Sequence, residues 1–380
     1  MRIKLKKNEI LAFFCCVITS IYYTLKGWNY SSYFVEFLLV IGILCGIINL
    51  LQFHRLQANR LFLISPIIIL TIYRMTLGAD TRMLVSLLAM LIGMNVNFEK
   101  ISVWILKSKI IAFLIAVVFG GYAHRNYLSM NIGTIVFLML YIYYPKNKVK
   151  ALSMGIIIFI FGVLISKSGA MLICGGIGLS LYLTLNNKIV KRILRSRVLI
   201  FLFPLVLMLN WFLVVLYAAY GYFNSDYYFI KKFVPSMWNA SVLPFLDKMN
   251  TFLSGRISLA AFSICKFGIS AWGGNIDYTV DTGLPYFLVD SGMILLLQDW
   301  GLIMTSVAMV LFVFFMWKLI EKKEYRLIIS AIVIALWAFN EDTLLSIGSN
   351  YLFFAIGTEL ISVKASFQKK KITRKFERVV

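Results

Sequence analysis

Apolar residues fill this chain in runs of a length that only a lipid bilayer demands. A hydrocarbon core roughly 30 Å thick takes about 17 to 25 apolar residues per helix. Against that ruler about twelve segments are candidates: Ile10 to Leu25, Tyr33 to Leu51, Leu61 to Leu77, Met83 to Met94, Ile110 to Ala123, Ile132 to Tyr144, Ala151 to Ile165, Ala170 to Leu185, Val198 to Ala218, Met293 to Met316, Leu327 to Phe339, and Ser346 to Ile361. The shortest, such as Met83 to Met94, are expected to extend into their flanks. Charged residues make up 14% of the chain and hydrophobic ones 61%, far too little charge to coat a water-soluble globule of this size. The expected fold is an all-α integral membrane protein. It is a polytopic bundle of about twelve transmembrane helices forming one domain over 1–380, with one large extracytoplasmic loop, 219–291, between spans nine and ten.

The basic balance, 38 Lys and Arg against 16 Asp and Glu, would in a soluble protein raise nucleic-acid binding first. The placement of the charges argues against that class, because they cluster in short links between apolar segments and no DNA- or RNA-binding module is present. Alternate links, with the first seven residues and the tail 364–380, hold 28 of the 38 cations. By the positive-inside rule both termini are cytoplasmic and loop 219–291 lies outside. MRIKLKK before the first apolar run has the look of a signal peptide, yet no small-x-small cleavage site follows, so it reads as a retained first span. The five cysteines, Cys15, Cys16, Cys45, Cys174 and Cys265, show neither metal spacing nor a disulfide framework. No period recurs and the halves do not mirror each other, whereas inverted-repeat transporters usually show such symmetry.

The long stretch that lipid cannot simply dissolve runs from Thr251 to Ile303. After Gly255 and Arg256, apolar residues at Ile257, Ala260, Ala261, Ile264 and Phe267 recur at helical spacing, with Ser263, Lys266 and Ser270 largely on the other side. That pattern suits a helix lying on a membrane surface. Ionisable residues at span ends are functional candidates, since each is costly at membrane depth. On the outer side these are Arg74, Asp80, Arg82, His124, Arg125, Lys167, Asp290, Glu341 and Asp342, with Arg256 in the loop. Any one of them alone could merely end a helix or snorkel. Several arginines with carboxylates on one face suggest a pocket for a charged headgroup, because a guanidinium is always ionised and its planar fork matches phosphate oxygens. Gly175, Gly176 and Gly178 read as close helix packing, and Tyr227, Tyr228, Phe229 and Trp238 of the outer loop as interfacial anchors, with stacking on sugar faces as the alternative. His124 has no companion ligand nearby in sequence, so no metal and no cofactor is expected.

Several separated stretches together resemble the Wzy-type oligosaccharide repeat-unit polymerases of bacterial surface polysaccharides. They are LGADTRMLVSLLAMLIGMNVNFEKI, AHRNYLSMNIGTIVFLMLYIYY, ISKSGAMLICGGIGL, LSGRISLAAFSICKFGISAWGGNI, YFLVDSGMILLLQDWGLI and FNEDTLLSIGSNYLFFAIG, in order over Leu77 to Gly357. The chain has Ser166, Lys167 and Ser168 where the family tends to carry a serine-arginine pair. The resemblance implies a metal-independent glycosyltransferase of the bacterial plasma membrane, acting in capsule, exopolysaccharide or O-antigen synthesis. It would transfer a growing glycan from undecaprenyl diphosphate onto the non-reducing end of a new lipid-linked repeat unit outside the membrane. Implied partners are the lipid-linked donor and acceptor, membrane lipid, a flippase and a chain-length regulator, with no nucleic acid. In such chemistry arginines would stabilise the departing diphosphate, with Arg256 as main ligand and Arg74, Arg82 and Arg125 assisting. A base would take the proton of the attacking hydroxyl; Asp290, Glu341 and His124 are the candidates. A glycan ligase would share these features. A flippase or exporter would spread polar residues through the membrane depth.

Overall fold

A computed structural model of the chain describes residues 6, 9–26, 33–52, 58–77, 81–122, 125–219, 239–277, 289–344, 346 and 348–360. These residues are mostly helical, with no strand among them. In chain order the helices are α1 (Ile10–Leu25), α2 (Tyr33–Gln52), α3 (Ala58–Thr76), α4 (Arg82–Asn95), α5 (Phe98–Val118), α6 (Arg125–Tyr143), α7 (Lys148–Ser166), α8 (Met171–Leu183), α9 (Lys188–Leu194), α10 (Leu202–Ala219), α11 (Asn239–Phe252), α12 (Arg256–Phe267), α13 (Gly292–Lys322), α14 (Tyr325–Ala338) and α15 (352–360). Among the described residues six segments, α2, α5, α6, α7, the run Arg197–Ala219 and α13, are long and apolar enough to cross a membrane.

The remaining apolar helices are short, and the reason is visible in their surroundings. The expected extension of Met83 to Met94 into its flanks amounts to one residue at each end, giving 14 residues, or about 21 Å at 1.5 Å per residue. All but one of the residues from Met83 to Met94 are buried. A helix wrapped by protein satisfies its neighbours rather than a bilayer thickness, so nothing requires α4 to match the lipid. By contrast α7 exposes Ile157, Ile160, Phe161 and Leu164, apolar side chains of the kind lipid covers.

Two bodies of packing organise the chain. In the first, α1 packs on α2 and α5, and α6 on α5 and α7. Lys109, one of the 28 cations that the sequence places in the links, sits inside α5 and is completely buried, donating to Thr24 Oγ1 at 3.1 Å and Asn131 Oδ1 at 2.6 Å. The second gathers α12, α13 and α14 around α10. Helix α13 breaks in its first third: a π-type turn over Leu296–Trp300 leads into Gly301 at φ +78° and ψ 171°. Residues 268–275 form a strap that repairs the break. Leu302 and Ile303 donate their amides to the carbonyls of Ser270 and Ala271, and Gly274 donates to Gln298 O at 2.8 Å. Gly273 and Gly301 lie back to back, so a Cβ on either would collide with the opposite backbone.

Candidate active site

Arg256 owes its place to a turn that only the local sequence permits cheaply. Gly255 takes φ +81° at the start of α12, in the left-handed region that glycine enters without steric cost. The Asn250 side chain ties the end of α11 to this turn, accepting from Ser258 N at 3.0 Å and donating to Tyr217 Oη of α10 at 3.3 Å. Helix α12 then buries Ile257, Leu259, Ala260, Ala261, Ser263 and Ile264. The expectation of a helix lying on a membrane surface is corrected in this respect: Ser263, assigned to its polar side, is inside and donates to Gln298 Oε1 of α13 at 2.8 Å. The helix is bolted to the protein.

From that position the Arg256 guanidinium holds two carboxylates. Its Nη2 donates to Glu341 Oε1 at 2.6 Å, and its Nε lies 3.3 Å from Asp290 Oδ2. The segments carrying those acids are held by Asn210 of α10, which donates to Phe339 O at 2.6 Å and accepts from Ser291 Oγ at 3.2 Å. Gly292 N donates to Glu341 O, closing the same junction. A second group adjoins the first through the neighbouring residue, Asp342, which pairs with Arg82 at the start of α4. Arg82 also lies 4.0 Å from Asp299, and Asp299 lies 3.7 Å from Arg74. Arg74 is only 3% exposed and directs Nη2 at Gly274 O and Asn275 Oδ1 of the strap, both at 3.4 Å. Its Nε is buried and has no hydrogen-bond partner among the described residues.

The structure therefore brings five of the seven expected residues, Arg74, Arg82, Arg256, Asp290 and Glu341, into two ion-paired groups that adjoin through the consecutive residues Glu341 and Asp342. Arg125 stands exposed at the start of α6, making no ion pair among the described residues. His124 and Asp80 lie outside the described residues. Lys167 is exposed and closes α7 in the left-handed conformation. The second group also contains Asp299, which sequence reasoning missed. Its signal was an acid inside an apolar run, two residues before a glycine. Tyr127 of α6 is within electrostatic reach of Arg82, Asp342, Asp290 and Glu341.

The charges nearly cancel. Three guanidiniums face four carboxyls, and burial pushes the Glu341 carboxyl up to about 8 while Arg256 pulls it back. Near neutral pH, Glu341 is thus mostly in its protonated form and becomes a carboxylate as pH rises through about 8. The cavity next to Arg256 measures about 10 Å³, the room of one water. An anion reaching Arg256 would compete with Glu341 and Asp290 for it. No three His, Cys, Asp or Glu side chains form a metal-ligand set among the described residues. No family model, curated protein or solved structure matches the chain.

Proposed function

We propose that this chain is a lipid-linked-donor glycosyltransferase of the polysaccharide-polymerase kind, spanning the bacterial plasma membrane about twelve times, with the arginine-carboxylate network on its outer side. The observation that carries this reading is Arg256 held between Asp290 and Glu341. A diphosphate offers that guanidinium a stronger, bidentate partner than either carboxylate. As it takes Arg256, it frees one acid to accept the proton of an attacking sugar hydroxyl. Glu341 fits that task, since a base with a pKa near the working pH combines availability with driving force. Arg82 and Arg74 add positive potential beside the departing diphosphate, where preorganised donors in a water-poor site are most effective. Donor and acceptor are both lipid-anchored oligosaccharides, and the leaving group needs no nucleotide.

The runner-up, a flippase or exporter of lipid-linked sugar, gains support from one observation. Lys109, Asn131 and Thr24 form a polar network inside the helices, which a pathway across the membrane would use. It connects with no described ion pair of the arginine network, and this favours the transferase. A ligase that moves finished glycan to another acceptor shares the arginine chemistry.

The deciding experiment supplies purified protein in detergent with a lipid-linked repeat unit and no nucleotide, with and without excess chelator. Elongated lipid-linked product in both conditions is expected. Translocation in proteoliposomes without elongation overturns the proposal in favour of transport, and chelator-sensitive elongation restored by metal overturns its metal-free form.

A further inference from the structure

The second concentration of charge lies far along the chain from the arginine network, in the link between α8 and α10. Helix α9 and the residue after it carry Lys188, Lys191, Arg192 and Arg195, at i, i+3, i+4 and i+7, which sets all four on one side of a helix. With Ile193 and Ser196 these residues line an open cleft of about 820 Å³. No acid occurs anywhere from 186 to 201. Like charges at this spacing repel one another and weaken an isolated helix, so the arrangement is not explained by helix stability.

Its neighbours make the helix three-sided. Leu194 is fully buried and fastens it to the protein. Ile189 and Ile193, at i and i+4, stand 65% and 55% exposed beside the cationic side, followed by exposed Val198. Arg195 is fixed in place by Tyr325 of α14, donating to its hydroxyl with the guanidinium 5.4 Å from the ring centre. The Asn187 side chain accepts from Ile189 N at 2.8 Å and closes the helix start, so the cations are displayed on an ordered element.

We infer that this cleft is a binding site for an anionic phospholipid of the leaflet opposite the arginine network, with the phosphodiester among Lys188, Lys191, Arg192 and Arg195 and an acyl chain along Ile189 and Ile193. Cations alone would suit a free phosphate as well. The exposed aliphatic edge adjoining them decides for a lipid, because it lets one ligand cover both surfaces. Each cation near an anionic lipid surface contributes roughly a five-fold gain in affinity. The site is independent of the proposed reaction.

The test uses the full-length purified protein, delipidated in detergent. Phosphatidylglycerol and phosphatidylcholine with identical acyl chains are titrated separately and counted by native mass spectrometry. Preferential retention of phosphatidylglycerol is expected, reduced at least about ten-fold in the variant K188Q/K191Q/R192Q and unchanged in K148Q/K150Q, which removes two other cations. Inorganic phosphate at millimolar concentration should not compete. A photoactivatable phosphatidylglycerol on the unsubstituted protein should cross-link within 188–198, which keeps the test valid if the triple variant misfolds. Equal retention of the two lipids, full competition by phosphate, or cross-links confined to other segments each overturn the inference.

Discussion

Arg256 hydrogen-bonds Glu341 and keeps Asp290 within ion-pair distance with a flat, forked cation, and a lysine cannot repeat that geometry from a single ammonium. Arg256→Lys should therefore be nearly as damaging as Arg256→Ala. Removal of one donor that stabilises developing charge costs about 10²- to 10³-fold in rate, so polymer should almost vanish while single lipid-linked units accumulate. Either change also removes the hydrogen bond from Arg256 Nη2 to Glu341 Oε1, so thermal stability in detergent must be measured alongside. Full-length polymer from well-expressed Arg256→Ala would end the assignment. Glu341 gives a second expectation. Burial raises its carboxyl to about 8, well above the ordinary glutamate value of about 4.5. A base must lose its proton, so kcat/KM should climb with pH through about 8. Stability runs the other way: a raised carboxyl favours the folded state fully below about 4.5, and that contribution is lost as pH rises through about 8. Glu341→Gln should abolish the rate dependence on that limb and flatten the stability trend. An unchanged pH profile in the variant would move the base to Asp290 or His124.

At the scale of elements, the strap 268–275 and the broken α13 form a single unit. Gly301→Ala places a Cβ against the backbone of residues 271–273 and strains a residue at φ +78°. The strap should lift, displacing Gly274 and Asn275 from Arg74. A shift of about 1 Å at such a distance from the chemistry can cost about 10²-fold, and hydrogen exchange over 268–275 should rise. Wild-type exchange with wild-type activity would show that the strap is incidental. Span ends were legible in the sequence because Arg74, Arg82, Glu341 and Asp342 interrupt apolar runs, where charge is conspicuous. Their assembly was not, since the pairings join residues as far apart as Arg74 and Gly274. Asp299 was hidden because Met293 to Met316 read as one uninterrupted span, and the break at Gly301 depends on a partner segment that periodicity does not reveal. Lys109 was misplaced for a related reason. A lysine near the start of an apolar run looks like the end of a link, until Thr24 and Asn131 are brought beside it.

Among the described residues, the molecule has six helical segments of membrane-crossing length and apolarity. Cysteine labelling in intact cells tests its proposed orientation. In a variant free of its native cysteines, a cysteine at Asn250 should react with an impermeant reagent and one at Asn187 should not; the reverse pattern would invert the topology. The back-to-back contact of Gly273 with Gly301 bears on how such a chain is built. The strap precedes α13, so synthesis delivers the cover before the helix that needs it. The amides of Leu302 and Ile303 can then meet their acceptors as the segment enters the bilayer. With the order of the two segments exchanged, those amides would be made before their acceptors, and each one that met hydrocarbon unpaired would cost several kcal/mol.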